Sequence, residues 1–250
     1  MRVPLIEGCV DSYPSAMAAI RGGADRLELC ANLAIGGTTP SPFLFEQIHR
    51  QSDIRINALI RPRFGDFLYS AWELEEMEKQ IAQFRDLGAN GVVIGVLTPQ
   101  GELDMEGMKR LMDKAGEMEV TLHRAFDMTR DPYAALESAV ALGCQTILTS
   151  GQAQSAAEGL TVLKELSRQS GDRIQIMAGS GVKRDNIQAI YRETGILCFH
   201  TTGRKGNIDS GMVYRKSGVS MGLPSLSEYE IWQTNGEEFR ACAELVHGLA

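Results

Sequence analysis

Short apolar runs and longer amphipathic stretches take turns along this chain. Four joins make the alternation visible: Gly23-Ala-Asp-Arg-Leu-Glu-Leu, Gly88-Ala-Asn-Gly-Val-Val-Ile, Gly143-Cys-Gln-Thr-Ile-Leu and Gly195-Ile-Leu-Cys-Phe. Each sets a glycine just before an apolar run, with helix-like sequence upstream. Residues 131–142 show why: Pro132 falls in the first turn, where its missing N–H costs nothing, and Gly143 supplies the left-handed residue that ends a helix. Further apolar runs at residues 5–10, 55–61, 120–125 and 173–178 complete a set of eight predicted strands, separated by helical segments of roughly 10 to 18 residues.

Regular alternation of strand and helix demands a parallel sheet with right-handed crossovers, and eight units without a large interruption favour closure over an open sheet. The expected fold class is α/β, a (β/α)₈ TIM barrel, with residues 1–250 as a single domain. The length of 250 residues suits that architecture. One stretch breaks the rhythm. Residues 205–227 follow the last strand, carry several Gly and Ser residues with Pro224, and precede a final helix near residues 237–249, so they are expected to form a lid or an interface segment.

Composition narrows the function classes. The chain is 44% hydrophobic and 23% charged, with no apolar run approaching the ~18 residues of a membrane span. Its net charge of −7 argues against general affinity for phosphate backbones, so neither a nucleic acid nor a membrane is an expected partner. The opening Met-Arg-Val-Pro-Leu-Ile-Glu-Gly-Cys lacks the basic and apolar regions of a secretory signal, which points to the cytoplasm. The 5 cysteines are then expected as thiols rather than as a disulfide framework.

In such barrels the chemistry gathers where strands end and βα loops begin. The first two strands close on the repeated triplets Glu7-Gly-Cys9 and Glu28-Leu-Cys30, and side chains two apart share a strand face. Both thiols would then approach each other at the rim. Paired thiols suit the soft ion Cu(I), although free cysteines also serve as small buried residues. The 11 methionines add nothing to this, because Met77, Met105, Met108, Met112 and Met118 fall in or beside amphipathic helical sequence.

Other rims carry polar groups too. Arg61-Pro-Arg-Phe-Gly-Asp-Phe67 brings Arg61, Arg63 and Asp66 to one loop, which reads either as an anion clamp or as an internal Arg63–Asp66 pair. His123-Arg-Ala-Phe-Asp127 puts His123 and Asp127 on one face if the strand persists that far, fit for acid–base work or metal ligation. Three loops are rich in glycine and hydroxyls: Leu148-Thr-Ser-Gly151, Met177-Ala-Gly179-Ser-Gly181 and His200-Thr-Thr-Gly203. The last two correspond to the loops where barrels often bind phosphate through backbone N–H groups.

Together with Arg26-Leu-Glu-Leu-Cys30 and Gly36-Gly-Thr-Thr-Pro-Ser41, these motifs make the chain resemble the CutC copper homeostasis family over most of its length. The resemblance implies a (β/α)₈ barrel, cytoplasmic residence, homo-oligomerisation with a dimer favoured, and a role in copper tolerance with Cys9 and Cys30 as Cu(I) ligands. Two readings follow. In the first, the protein handles copper ions through the cysteine pair. In the second, it is an enzyme acting on a small anionic or phosphorylated metabolite, with Glu28, His123 and Asp127 transferring protons. Arg61, Arg63, Asp66, Gly151, Gly179, Gly181, His200 and Gly203 would then bind the substrate.

Overall fold

The computed structural model describes residues 3–223 and 225–249, so Met1, Arg2, Pro224 and Ala250 lie outside it, together with the readings placed on them. Eight parallel strands close into a barrel in chain order: β1 (Leu5–Val10), β2 (Arg26–Leu29), β3 (Arg55–Leu59), β4 (Gly91–Ile94), β5 (Glu119–Leu122), β6 (Thr146–Thr149), β7 (Gln175–Ala178) and β8 (Cys198–Thr201). The ring shuts where β8 pairs with β1, setting Leu5 opposite Cys198 and Glu7 opposite His200. This is the (β/α)₈ TIM barrel that the alternation predicts.

The helices form the outer shell: α1 (Tyr13–Arg21), α2 (Pro42–His49), α3 (Ala71–Asp86), α4 (Met105–Ala115), α5 (Pro132–Leu142), α6 (Leu160–Ser170), α7 (Ile187–Thr194) and α8 (Gly236–His247). Each turns one stripe inward. On α3 the buried residues are Leu74, Met77, Ile81 and Phe84, at the three- and four-residue steps that keep a single helix face against the sheet. Its start is fixed by a capping box, in which Ser70 Oγ accepts from the Glu73 N–H at 3.3 Å and Glu73 Oε2 accepts from the Ser70 N–H at 2.7 Å. Met77 and Met108 are fully buried filler, whereas Met105 is exposed.

The strands are buried on both faces, as parallel strands under helices must be. Their outward side chains, such as Ile6, Leu27 and Ile56, meet the helices, while polar residues such as Glu7, Glu28 and Asn57 are also fully enclosed. Space inside the ring is tight. A Cβ on Gly91 would lie 2.5 Å from Asn57 Oδ1 and 2.7 Å from Glu119 O, so only glycine fits beside Asn57.

Several boundaries differ from the sequence reading. β3 ends at Leu59 and β5 at Leu122, earlier than the apolar runs suggest, because Pro62 and a 3₁₀ turn at Arg124–Met128 take over the backbone. The irregular stretch is an exposed arm. Two short antiparallel strands, β9 (Ile208–Asp209) and β10 (Glu230–Ile231), pair at its base, and the described residues between them include the exposed Val213, Tyr214 and Met221.

Candidate functional site at the barrel mouth

Neighbouring strands bring the first groups together. The β1–β2 register sets Cys9 opposite Glu28, and Cys30 follows β2 directly, its N–H donating to Val10 O at 2.8 Å. The two sulfurs consequently stand 3.9 Å apart, both buried. The Cys30 sulfur also lies 3.3 Å from Glu28 Oε1, while Glu28 Oε2 has no hydrogen-bond partner among the described residues.

Barrel closure adds His200 from the far end of the chain. Its Nδ1 is 2.8 Å from Glu7 Oε1 and 3.9 Å from Glu28 Oε2. Glu7 is fully buried, and its second oxygen accepts from Arg26 Nε at 2.6 Å. Arg26, enclosed as well, reaches towards Glu119 at 3.5 Å and the Met177 sulfur at 3.8 Å.

These contacts set opposite charge states on two nearby carboxyls. Burial on its own would raise Glu7, but the Arg26 guanidinium and then His200 outweigh it and hold Glu7 at about 2. Glu28 lacks a cation of that strength, and burial, with the negative charge of Cys9 and Glu7 added, pushes it up to about 8 against the pull of His200. At neutral pH Glu7 is ionised and Glu28 keeps its proton. Between the thiols, the hydrogen bond from Cys30 lowers Cys9 against burial, and the same bond raises Cys30. Burial would lower His200, yet the charge of Cys9 and the hydrogen bond to Glu7 hold it well above the ordinary histidine value. The cluster thus offers one thiolate, one thiol, one carboxylate, one carboxylic acid and an imidazolium in a water-poor space. Cys9, Glu28 and Cys30 can bring one ligand atom each within 4.8 Å of the others, as can Glu7, Glu28 and His200.

The remaining sequence candidates do not join this cluster. Arg61 is buried and spends its fork on loop carbonyls, with Nη1 donating to Gly37 O at 2.9 Å and Nη2 to Gly65 O at 2.8 Å. Arg63 and Asp66 pair with each other at 3.1 Å, and Arg63 Nε takes Glu73 at 2.5 Å. These contacts brace the loop that carries both arginines. His123 and Asp127 do not share a strand face, because His123 instead caps the 3₁₀ turn, its Nδ1 accepting from Ala125 N–H at 3.1 Å. Burial, aided by Arg61, lowers His123 to about 3, so it stays neutral. Asp127 accepts from the N–H groups of Ser150 and Gln152, each at 3.1 Å, and pairs with Arg124 at 2.7 Å. Among the described residues no hydrogen bond links Glu28, His123 and Asp127 to one another.

The glycine loops also divide. Gly151 and Gly179 serve close packing: a Cβ would come within 2.4 Å of Gly159 O at the first and of Leu148 Cδ1 at the second. The Gly151 N–H is already taken by Thr149 Oγ1 at 2.9 Å, which removes it from a phosphate cradle. Gly181 and Gly203, with φ of +68° and +56°, line one cavity beside His200. Sequence reasoning missed the Glu7–His200 and Glu7–Arg26 bonds, whose partners are remote in the chain and meet only through barrel pairing.

The sequence model of the CutC family matches residues 4–205. The chain belongs to the CutC family. Among its relatives, a protein from Chromobacterium violaceum named as CutC is 44% identical over 240 residues, covering 96% of this chain and 97% of the relative. The human copper homeostasis protein cutC homolog is 45% identical over 237 residues, covering 94% of this chain and 86% of the relative. The crystal structure of the putative copper homeostasis protein CutC from Streptococcus agalactiae superposes with a TM-score of 0.76 at 32% identity. It covers 80% of this chain and 99% of that one. Cys9, Cys30, Glu7, Glu28 and His200 all lie inside the span that defines the CutC match, whereas nearly all of the arm lies beyond it.

Proposed function

We propose that this CutC family member takes Cu(I) as its cargo through Cys9 and Cys30 and thereby serves copper homeostasis. The separation of the two sulfurs carries the reading. With metal–thiolate bonds of about 2.3 Å, a linear S–metal–S unit needs about 4.6 Å between sulfurs. The 3.9 Å found here instead corresponds to a bond angle of about 115°, the angle of a three-coordinate ion. In this reading Glu28, whose carboxyl oxygen lies within 4.8 Å of both sulfurs, would supply the third ligand after losing its proton.

The donor set supports a soft ion over a hard one. Two sulfurs and one carboxyl, with the second carboxylate neutralised by Arg26, present too few oxygens for magnesium or calcium. Cys9 lines a cavity of about 160 Å³ together with Asp11, Thr202, Arg204 and Trp232, a route by which the ion reaches the thiols. Binding displaces the Cys30 proton, so uptake weakens as pH falls. X-ray absorption of the Cu(I)-loaded protein tests the geometry. Two sulfurs at about 2.3 Å with one lighter neighbour are expected, and a spectrum with fewer than two sulfurs refutes the proposed site.

A further inference from the structure

Between the loops that follow β7 and β8 lies a cavity of about 220 Å³, the volume of about seven waters. His200 lines it, and so do three cations, Arg124, Lys183 and Arg204, against the single carboxylate of Glu238. Two of the cations make no ion pair within 4 Å among the described residues, namely Lys183 and Arg204. The Arg204 guanidinium is held flat instead by stacking 3.5 Å from the centre of the Trp232 ring. Arg124 is engaged through Nε with Asp127 and through Nη2 with Ser150 Oγ, which leaves Nη1 open. Asp11 acts on Arg204 from beyond ion-pair distance and Lys183 is open to water, so neither cation is fully neutralised and both are free to face an anion in the cavity.

The backbone adds donors. Ser180 and Gly181 both take left-handed conformations, with φ of +70° and +68°, and the N–H groups of Gly181 and Val182 meet no acceptor among the described residues. Guanidinium, ammonium and free amide N–H groups together form the donor set of an oxyanion, and the volume leaves room for a short carbon body beside it.

We infer that this cavity binds a small phosphate monoester, its phosphate held by Lys183 and Arg204 and its organic end directed towards His200. None of the three cations contributes to the thiol cluster, although His200 borders both sites and Arg204 also lines the cavity that leads to Cys9.

Isothermal calorimetry with glycerol 3-phosphate, with inorganic phosphate and with glycerol as a control tests it. Saturable one-to-one binding of both phosphates and none of glycerol is expected. Lys183→Gln and Arg204→Gln are each expected to weaken it by on the order of tenfold. Glu238→Gln, which removes the one carboxylate lining the cavity and frees Arg184 from its 3.6 Å pair, is expected to tighten it. Lys183 is exposed, so its variant retains the fold, a point checked by its thermal unfolding. Absence of saturation below about 10 mM, indifference to Lys183→Gln, or weakening by Glu238→Gln overturns the assignment.

Discussion

Replacing Glu7 by Gln removes one charge from the centre of the barrel and keeps its shape. A carboxyl held at about 2 instead of 4.5 contributes about 3 kcal/mol at neutral pH, at about 1.36 kcal/mol for each pH unit. An independent route gives a similar figure. The Arg26 guanidinium, only 5% exposed, would keep no carboxylate nearer than Glu119 at 3.5 Å, and stranding one member of a buried pair costs about 3–5 kcal/mol. Because the native carboxyl is depressed, its contribution is complete above pH 4.5 and fades as pH falls towards 2. Urea denaturation of wild type and Glu7→Gln at pH 7 and pH 3 reads both effects. A gap of about 3–5 kcal/mol at pH 7, falling to less than half by pH 3, is expected. A gap below about 1 kcal/mol at pH 7, or one equal at the two pH values, refutes this account of the Glu7–Arg26 pair.

Three further expectations follow from the same contacts. His123 is held neutral down to about 3, whereas an unfolded histidine takes up its proton near 6.5. Wild type should therefore lose more stability than His123→Asn as pH falls from 6.5 to 4, by about 1.4 kcal/mol per pH unit, read by denaturation across that range. Arg61→Met leaves the carbonyls of Gly36, Gly37 and Gly65 without their donor. It should cost about 2–4 kcal/mol and open the loop after β3 to limited proteolysis before the barrel unfolds. Gly91→Ala forces a Cβ to within 2.5 Å of Asn57 Oδ1 and should lower the melting temperature by an amount equivalent to about 1–3 kcal/mol or more.

The barrel was legible because its signals are local. Glycines such as Gly143 and Gly195 end helices in the left-handed conformation, and the apolar runs that follow them are the strands. The thiol pair was legible for a related reason: Glu7, Cys9 and Glu28 fall on consecutive strands, with Cys30 directly after the second, where a parallel register leaves little freedom. What escaped depends on closure or on a change of backbone. His200 reads as part of a glycine loop until β8 pairs with β1 and carries its ring to Glu7, 193 residues earlier in the chain. Arg61, a natural anion ligand by sequence, is turned back onto carbonyls that only the folded loop presents. His123 and Asp127 alternate as strand residues would, but the 3₁₀ turn breaks that period and sends Asp127 to the β6 loop.

The central claim is that Cys9 and Cys30 together hold Cu(I), and a competition titration of the reduced protein against a Cu(I) chelator tests it most directly. Wild type should bind one ion per chain and withdraw it from the chelator, while Cys9→Ser/Cys30→Ser, with its fold intact by circular dichroism, should lose that ability by at least about a thousandfold. Equal affinity in wild type and the double variant would contradict the account.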